Sequence, residues 1–239
     1  MSKSKVQEFG WTAVPRGRGN VPSEAQVETR SIEIIFDTIW PQTGVVQKAQ
    51  EYAQGKLPVE TYNHSLRVYS YGHAIITQHF PSWIETARDP FLETWALTCL
   101  FHDIGTIQEN RHSTHLSFEF QGGFIALQQL QSFGAPQAQA ESVCEAIIRH
   151  QDPGETGTIS QMGQLIQLAT EFDNMGGQPY LIHKDVIERV VKQHPRLKWS
   201  SCFAASIQEE IDLKPWCHTT KIPGFKEAVA GNELMKPYE

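Results

Sequence analysis

The sequence predicts an all-α fold, and three observations carry that prediction. From about Thr29 to near the C-terminus, apolar residues recur at three- and four-residue spacing. The segments they mark begin or end at proline and glycine. No stretch shows the two-residue alternation of a strand. A chain of 239 residues has room for one large core. The expected layout is an irregular N-terminal arm over residues 1–30, one helical domain over residues 31–239, and a loop-rich C-terminal end.

The arm is broken by Pro15, Pro22 and the run Arg16-Gly17-Arg18-Gly19-Asn20. Phe9-Gly10-Trp11 interrupts its polarity, which predicts an anchor onto the body of the protein. Ile32, Ile35, Phe36 and Ile39 predict a short helix stopped by Pro41, and Val45 to Tyr52 a second one ending at Gly55. Thr61 predicts the cap of a longer helix reaching about Phe80, with His64 near its start and Arg67 a turn later. Asp89-Pro90 reads as a cap and a first-turn proline, so a helix runs from Pro90 to about Asp103. That helix is apolar nearly all round, which predicts burial.

A polar connection over residues 108–114 follows. Ser117 opens a helix that Gly134 ends, with Gly122-Gly123 marking close packing inside it. Further helices are expected from Pro136 to His150, Ile159 to Met175, Asp185 to Gln193, Trp199 to Ile211 and Phe225 to Ala230.

Composition narrows the function. A formal charge of −7 argues against nucleic acid, which asks for a basic face. No apolar run approaches the roughly 20 residues that cross a bilayer. The first residues, Met1 to Lys5, lack the apolar core of a signal peptide. Cys99, Cys144, Cys202 and Cys217 are widely spaced and form no Cys-x-x-Cys pair. Together these predict a cytoplasmic protein with reduced, structural cysteines. The exposed aromatic arm predicts a homo-oligomer.

The helix from Pro90 ends in His102-Asp103, and an imidazole and a carboxylate in a core are costly unless paired or bound to a metal. His64 starts another helix and Asp173 lies near the end of a third. Two imidazoles and two carboxylates suit Zn²⁺, Mn²⁺ or Fe²⁺ and leave positions open for water and substrate. Spacing alone leaves open a plain histidine–aspartate pair closing a helix.

The order His, His-Asp, Asp, one set to each helix and all within residues 61–175, resembles the HD-domain metal-dependent superfamily. Longer strings narrow the resemblance: Phe101-His102-Asp103-Ile104-Gly105-Thr106, Leu116-Ser117-Phe118-Glu119-Phe120, Ala146-Ile147-Ile148-Arg149-His150-Gln151-Asp152, the segments 163–170 and 172–176, and Trp199-Ser200-Ser201-Cys202-Phe203-Ala204. These are similar to the fungal cyanamide hydratases. The resemblance implies an enzyme that adds water to cyanamide to give urea. It implies one Zn²⁺ per chain, with Mn²⁺ or Fe²⁺ fitting the same donors. The ligands would be His64, His102, Asp103 and Asp173. Asp103 would accept a proton from water, His150 would serve as proton donor or substrate anchor, and His115 would line the pocket.

His112, His73, His79, His183, His194 and His218 are expected to be solvated or structural, and Trp199 and Trp216 to be packing residues. Two other readings stay open. One is an HD-type phosphohydrolase acting on nucleotides, which would draw on Arg67, Arg111, Arg149 or Lys184 for its phosphate. In the plainer view Arg67 and Arg149 are ion-pair partners on helix surfaces. The other is a non-catalytic, metal-stabilised binding module.

Overall fold

The structure of the protein, a computed structural model, describes residues 7–84 and 90–239. The described helices are α1 (Phe36–Ile39), α2 (Gly44–Lys56), α3 (Val59–His79), α4 (Pro90–Phe101), α5 (Gln108–His112), α6 (Phe118–Phe133), α7 (Gln137–Arg149), α8 (Gln161–Met175), α9 (Lys184–Gln193), α10 (Trp199–Leu213) and α11 (Phe225–Ala230). The all-α class holds.

Helix α4 is the centre of the core. Every residue in it except Pro90 and Glu93 is buried. Its two threonines are reconciled with that setting locally, since the hydroxyls of Thr94 and Thr98 donate to the carbonyls of Pro90 (2.7 Å) and Thr94 (2.8 Å). Trp95 donates its indole N–H to the Tyr69 carbonyl at 3.1 Å, tying α4 to α3. The expected cap at Asp89 lies outside the described residues.

Four expectations shift. Helix α3 starts at Val59 after Pro58, so Thr61 is a buried position in its first turn and not its cap. The first helix is only Phe36–Ile39, because Ile32 and Ile35 run extended ahead of it. Residues 108–112, expected as plain connection, form the single turn α5, and Arg111 there is buried with its guanidinium on Glu209 and the Ser206 carbonyl. A small sheet is also present: β1 (Ala13–Pro15) pairs antiparallel with β2 (Thr158–Ser160), Val14 opposite Ile159. Three residues are too few for alternation to register, and Ile159, expected to open a helix, is buried in that strand instead.

The sheet and the aromatic cluster together fasten the arm. Trp11 donates to the Ala138 carbonyl at 2.8 Å, Ser142 donates to the Phe9 carbonyl at 2.6 Å, and the Met162 amide meets the Gly10 carbonyl. The expected anchor is present. It is made within the chain, so the homo-oligomer expected from a free aromatic arm does not follow from it.

Gly105 follows the His-Asp pair for a steric reason. A Cβ there would lie 2.0 Å from the Phe118 carbonyl oxygen, a backbone atom with nowhere to move. Gly122 on α6 closes the same contact, and Gly123 closes a separate one against Ile148 and the Cys144 carbonyl of α7. Gly105→Ala should therefore destabilise the fold by about 3 kcal/mol, readable as a lowered urea midpoint with an unchanged slope.

Candidate metal centre

Three of the expected site residues converge. Helix α3 delivers His64 from its second turn, and the end of α4 delivers His102 and Asp103, all three at most 1 % exposed. His102 keeps the last turn of α4 closed, its amide on the Thr98 carbonyl at 3.0 Å. His64 Nε2 and His102 Nε2 are 3.1 Å apart, His102 Nε2 and Asp103 Oδ2 are 3.3 Å apart, and His64 Nε2 and Asp103 Oδ2 are 3.6 Å apart.

The other ring nitrogens define what faces inward. His64 Nδ1 meets Asp173 Oδ2 at 2.6 Å, and His102 Nδ1 meets the Cys99 carbonyl at 2.8 Å. Both acceptors require the proton on Nδ1, so both Nε2 atoms present lone pairs to each other. Both carboxylate oxygens of Asp103 are buried without a hydrogen-bond partner. Lone pairs and a bare carboxylate gathered in a core fit a cation. Two ligands each about 2.0–2.1 Å from a tetrahedral ion lie roughly 3.3 Å apart, and the triangle has that size.

The protonation of His64 and Asp103 agrees with this, whereas at His102 the downward push of burial is overcome by Asp103, which raises the pKa, so a metal would displace a proton there. Burial lowers the His64 pKa to about 4, against an opposing pull from Asp173. Asp103 is held well below the usual carboxylate range: burial pushes it upward, but the His102 ring beside it prevails. Neutral imidazole and ionised carboxylate are the forms a metal binds.

Asp173 stands one step out from that triangle. Oδ2 takes His64 Nδ1 and the Arg67 guanidinium (3.0 Å from Nη2), and Oδ1 takes Arg196 Nη1 at 2.7 Å. Arg67 also donates to the His194 and Pro195 carbonyls, and Arg196 to the Asp173 carbonyl. Neither arginine is exposed at all. This corrects the reading of Arg67 as a helix-surface residue, whereas Arg149 does sit near the surface with Glu145 at 3.3 Å. Trp199 packs, as expected, but on a site residue: its ring stacks on His64 with centroids 4.2 Å apart.

His150 caps α7 beside the triangle. Its Nδ1 donates to the Ile147 carbonyl at 2.6 Å, which leaves Nε2 as a lone pair 4.0 Å from Asp103 Oδ1. Burial lowers its pKa, so it too is neutral at pH 7. His115 is placed elsewhere. It is exposed, with its ring 6.2 Å from that of Trp216, and none of its described contacts reaches the triangle. Sequence reasoning missed Arg196, which lies between α9 and α10 beside two residues of positive φ, Leu197 and Lys198.

Beyond His150 lies a cavity of about 310 Å³. His150 is part of its wall, with Gln151, Gln164, Gln167 and Glu171. Glu155 and Glu171 border it, and no lysine or arginine does among the described residues.

A second charged group backs this region. Glu119, fully buried on α6, accepts from His218 Nδ1 at 2.7 Å, and that bond raises the His218 pKa. A raised histidine contributes stability that is complete below its unfolded value of about 6.5 and fades as pH climbs through the folded value. The stability difference between the native protein and His218→Gln should therefore shrink by about 1 kcal/mol as pH rises from 6 through that value, seen in urea titrations at each pH.

Helices carrying His, His-Asp and Asp around a buried, metal-ready triangle define a metal-dependent HD domain, and residues 61–175 match the HD domain family. Two cyanamide hydratases of Saccharomyces cerevisiae, DDI2 and DDI3, are each 41 % identical to the chain over 183 residues, covering 76 % of it and 79 % of each relative. The chain belongs to the cyanamide hydratase family, a family of enzymes. No described helix is long and apolar enough to cross a membrane.

Proposed function

We propose that the protein adds water to cyanamide to give urea, using one zinc ion held by His64, His102 and Asp103. The observation that most supports this is the triangle of 3.1, 3.3 and 3.6 Å in a chain akin to the yeast cyanamide hydratases. Two imidazoles and one carboxylate favour zinc, though Mn²⁺ and Fe²⁺ accept the same donors. A divalent ion bound there supplies acidity to water and polarises the nitrile.

The chain supplies the rest. Asp173 and the Cys99 carbonyl fix the ring orientations of His64 and His102 by holding their Nδ1 protons. Arg67 and Arg196 neutralise Asp173, so it keeps its charge and its position. Asp103 Oδ1 and His150 Nε2 bracket the place where the attacking water loses its proton. Water oxygen bonds to the nitrile carbon as the C≡N π bond opens onto nitrogen. His150 returns the proton to that nitrogen, giving an isourea that tautomerises to urea. With its Nδ1 committed to a carbonyl, His150 first acts as a base and only then as a donor.

The cavity disfavours the phosphohydrolase reading. A phosphate needs cationic forks, and two glutamates border the cavity that His150 lines. Arg67 is spent on Asp173, Arg111 on Glu209 and Arg149 on Glu145, while Lys184 is paired with Glu188 on the surface. The purified, zinc-loaded protein should form urea from cyanamide and release no phosphate from nucleoside monophosphates. Phosphate without urea would overturn the proposal. Bound metal with neither product would favour the non-catalytic binding module.

A further inference from the structure

His64 and His102 are held in different ways. His102 is fixed within its own helix, its Nδ1 on the Cys99 carbonyl three residues back at 2.8 Å. The partner of His64 Nδ1 is Asp173 of α8, 109 residues along the chain. A hydrogen bond fixes the direction of one N–H, and the outer torsion of a histidine has broad wells, so the ring can still turn about that bond. Turning swings Nε2, the atom that would meet the ion, out of the triangle.

Trp199 sets the plane of that ring. The two rings lie 16° from parallel with centroids 4.2 Å apart, and both residues are at most 1 % exposed. Trp199 is itself held twice: its indole N–H donates to Asn174 Oδ1 at 2.8 Å, and its ring stacks on Phe203 at 5.0 Å. Asn174 directly follows Asp173 on α8, so that helix reaches His64 both through Nδ1 and through the indole.

The turn that delivers Trp199 is strained. Leu197 and Lys198 have φ of 53° and 63°, in the left-handed region that favours glycine. Packing of their own side chains does not keep them there, since Leu197 is 45 % exposed and Lys198 is exposed too. The residues on either side are buried and bound to the site: Arg196 by its 2.7 Å bond to Asp173 Oδ1, and Trp199 by its stack on His64. The Trp199 amide closes the turn on the Arg196 carbonyl at 3.0 Å. A costly backbone of this kind persists where its surroundings over-determine it.

We infer that Trp199 is a positioning residue of the metal centre: the 196–199 turn holds its ring against His64 and keeps Nε2 aimed at the ion while Asp173 holds Nδ1, a role that rests on His64 as a metal ligand and not on the identity of the substrate.

The test compares Trp199→Phe, Trp199→Leu and Asn174→Ala, with Val229→Ala as a control. Val229 of α11 is fully buried in the same apolar cluster as Trp199. Zinc affinity is measured by competition with a chromophoric chelator, ligand geometry by the visible absorption of the Co²⁺-loaded protein, and stability by the urea midpoint. Trp199→Leu should weaken zinc binding at least about 10-fold and change the Co²⁺ spectrum. Trp199→Phe keeps an aromatic face and should stay within about 3-fold of native, with the native spectrum. Asn174→Ala removes the indole's acceptor but not the ring, and should fall between the two. Val229→Ala should lower the urea midpoint and leave both metal readouts native. Native zinc affinity and spectrum in Trp199→Leu, or equal weakening in Val229→Ala, would overturn the inference. If Trp199→Leu does not fold, native metal readouts in Asn174→Ala would overturn it instead. Native protein that binds no zinc would overturn the metal centre and this role together, whereas zinc bound without urea formed would overturn the hydratase reading alone.

Discussion

His102→Ala should cost the protein its bound metal and its hydration of cyanamide together. His102 contributes one corner of the triangle, and its loss leaves His64 and Asp103, two protein donors where a catalytic ion usually keeps three. Removal of a partner outside the ligand set typically costs about 10–100-fold in affinity or activity, so loss of a ligand should exceed that. We expect a fall in kcat/KM of at least about 10³-fold, with metal content near zero after dialysis. Far-UV circular dichroism should keep its helical signal, because the turn is closed by the backbone bond from His102 to Thr98, which alanine retains.

Asp173→Asn should be the most destabilising of the conservative polar substitutions around the site. Asp173 answers two fully buried guanidinium groups and the Nδ1 proton of His64 at once. Removing its charge leaves Arg67 and Arg196 in the core without their shared anion, a change worth about 3–5 kcal/mol. That is a large part of the 5–15 kcal/mol by which a domain is usually stable. The carboxylate also belongs to the acid response. Its pKa is depressed, against the push of burial, chiefly by Arg67 and then by Arg196. Its stabilisation is complete above the unfolded value of about 3.9 and is lost only as pH falls through the lower folded value. Asp173→Asn should therefore remove the stabilisation at neutral pH. As pH falls from 3.9 toward the folded value, its stability curve should approach that of the native protein. The same variant tests the place of Asp173. If it orients His64 from outside the ligand set, metal affinity should fall about 10–100-fold and excess zinc should restore binding.

The helices were legible because their signals are local. Pro90, Pro136, Gly134 and Gly176 sit where helix ends require them, and the apolar run of α4 announced its burial. Three of the converging residues were also legible, through the order in which His64, His102 and Asp103 occur. The shell around them was not. Arg67 has the same look as a surface cation until Asp173, 106 residues away, is seen to face it. Trp199 lies 135 residues beyond the His64 ring it covers, and nothing in either neighbourhood signals the stack. The sheet between β1 and β2 joins three-residue segments far apart in the chain, too short to carry a pattern. His115 shows the opposite failure: a histidine close to the site in sequence that the chain turns out toward Trp216 and solvent.

The most direct test of the metal-dependent hydratase is a titration. The purified protein is stripped with a chelator, zinc is returned in steps, and bound metal and urea formed from cyanamide are measured on the same samples. Urea formation should be absent from the stripped protein, rise in proportion to zinc, and saturate at one ion per chain. Full activity in the stripped protein, or one ion bound with no urea formed at any point, would contradict the proposed role of His64, His102 and Asp103.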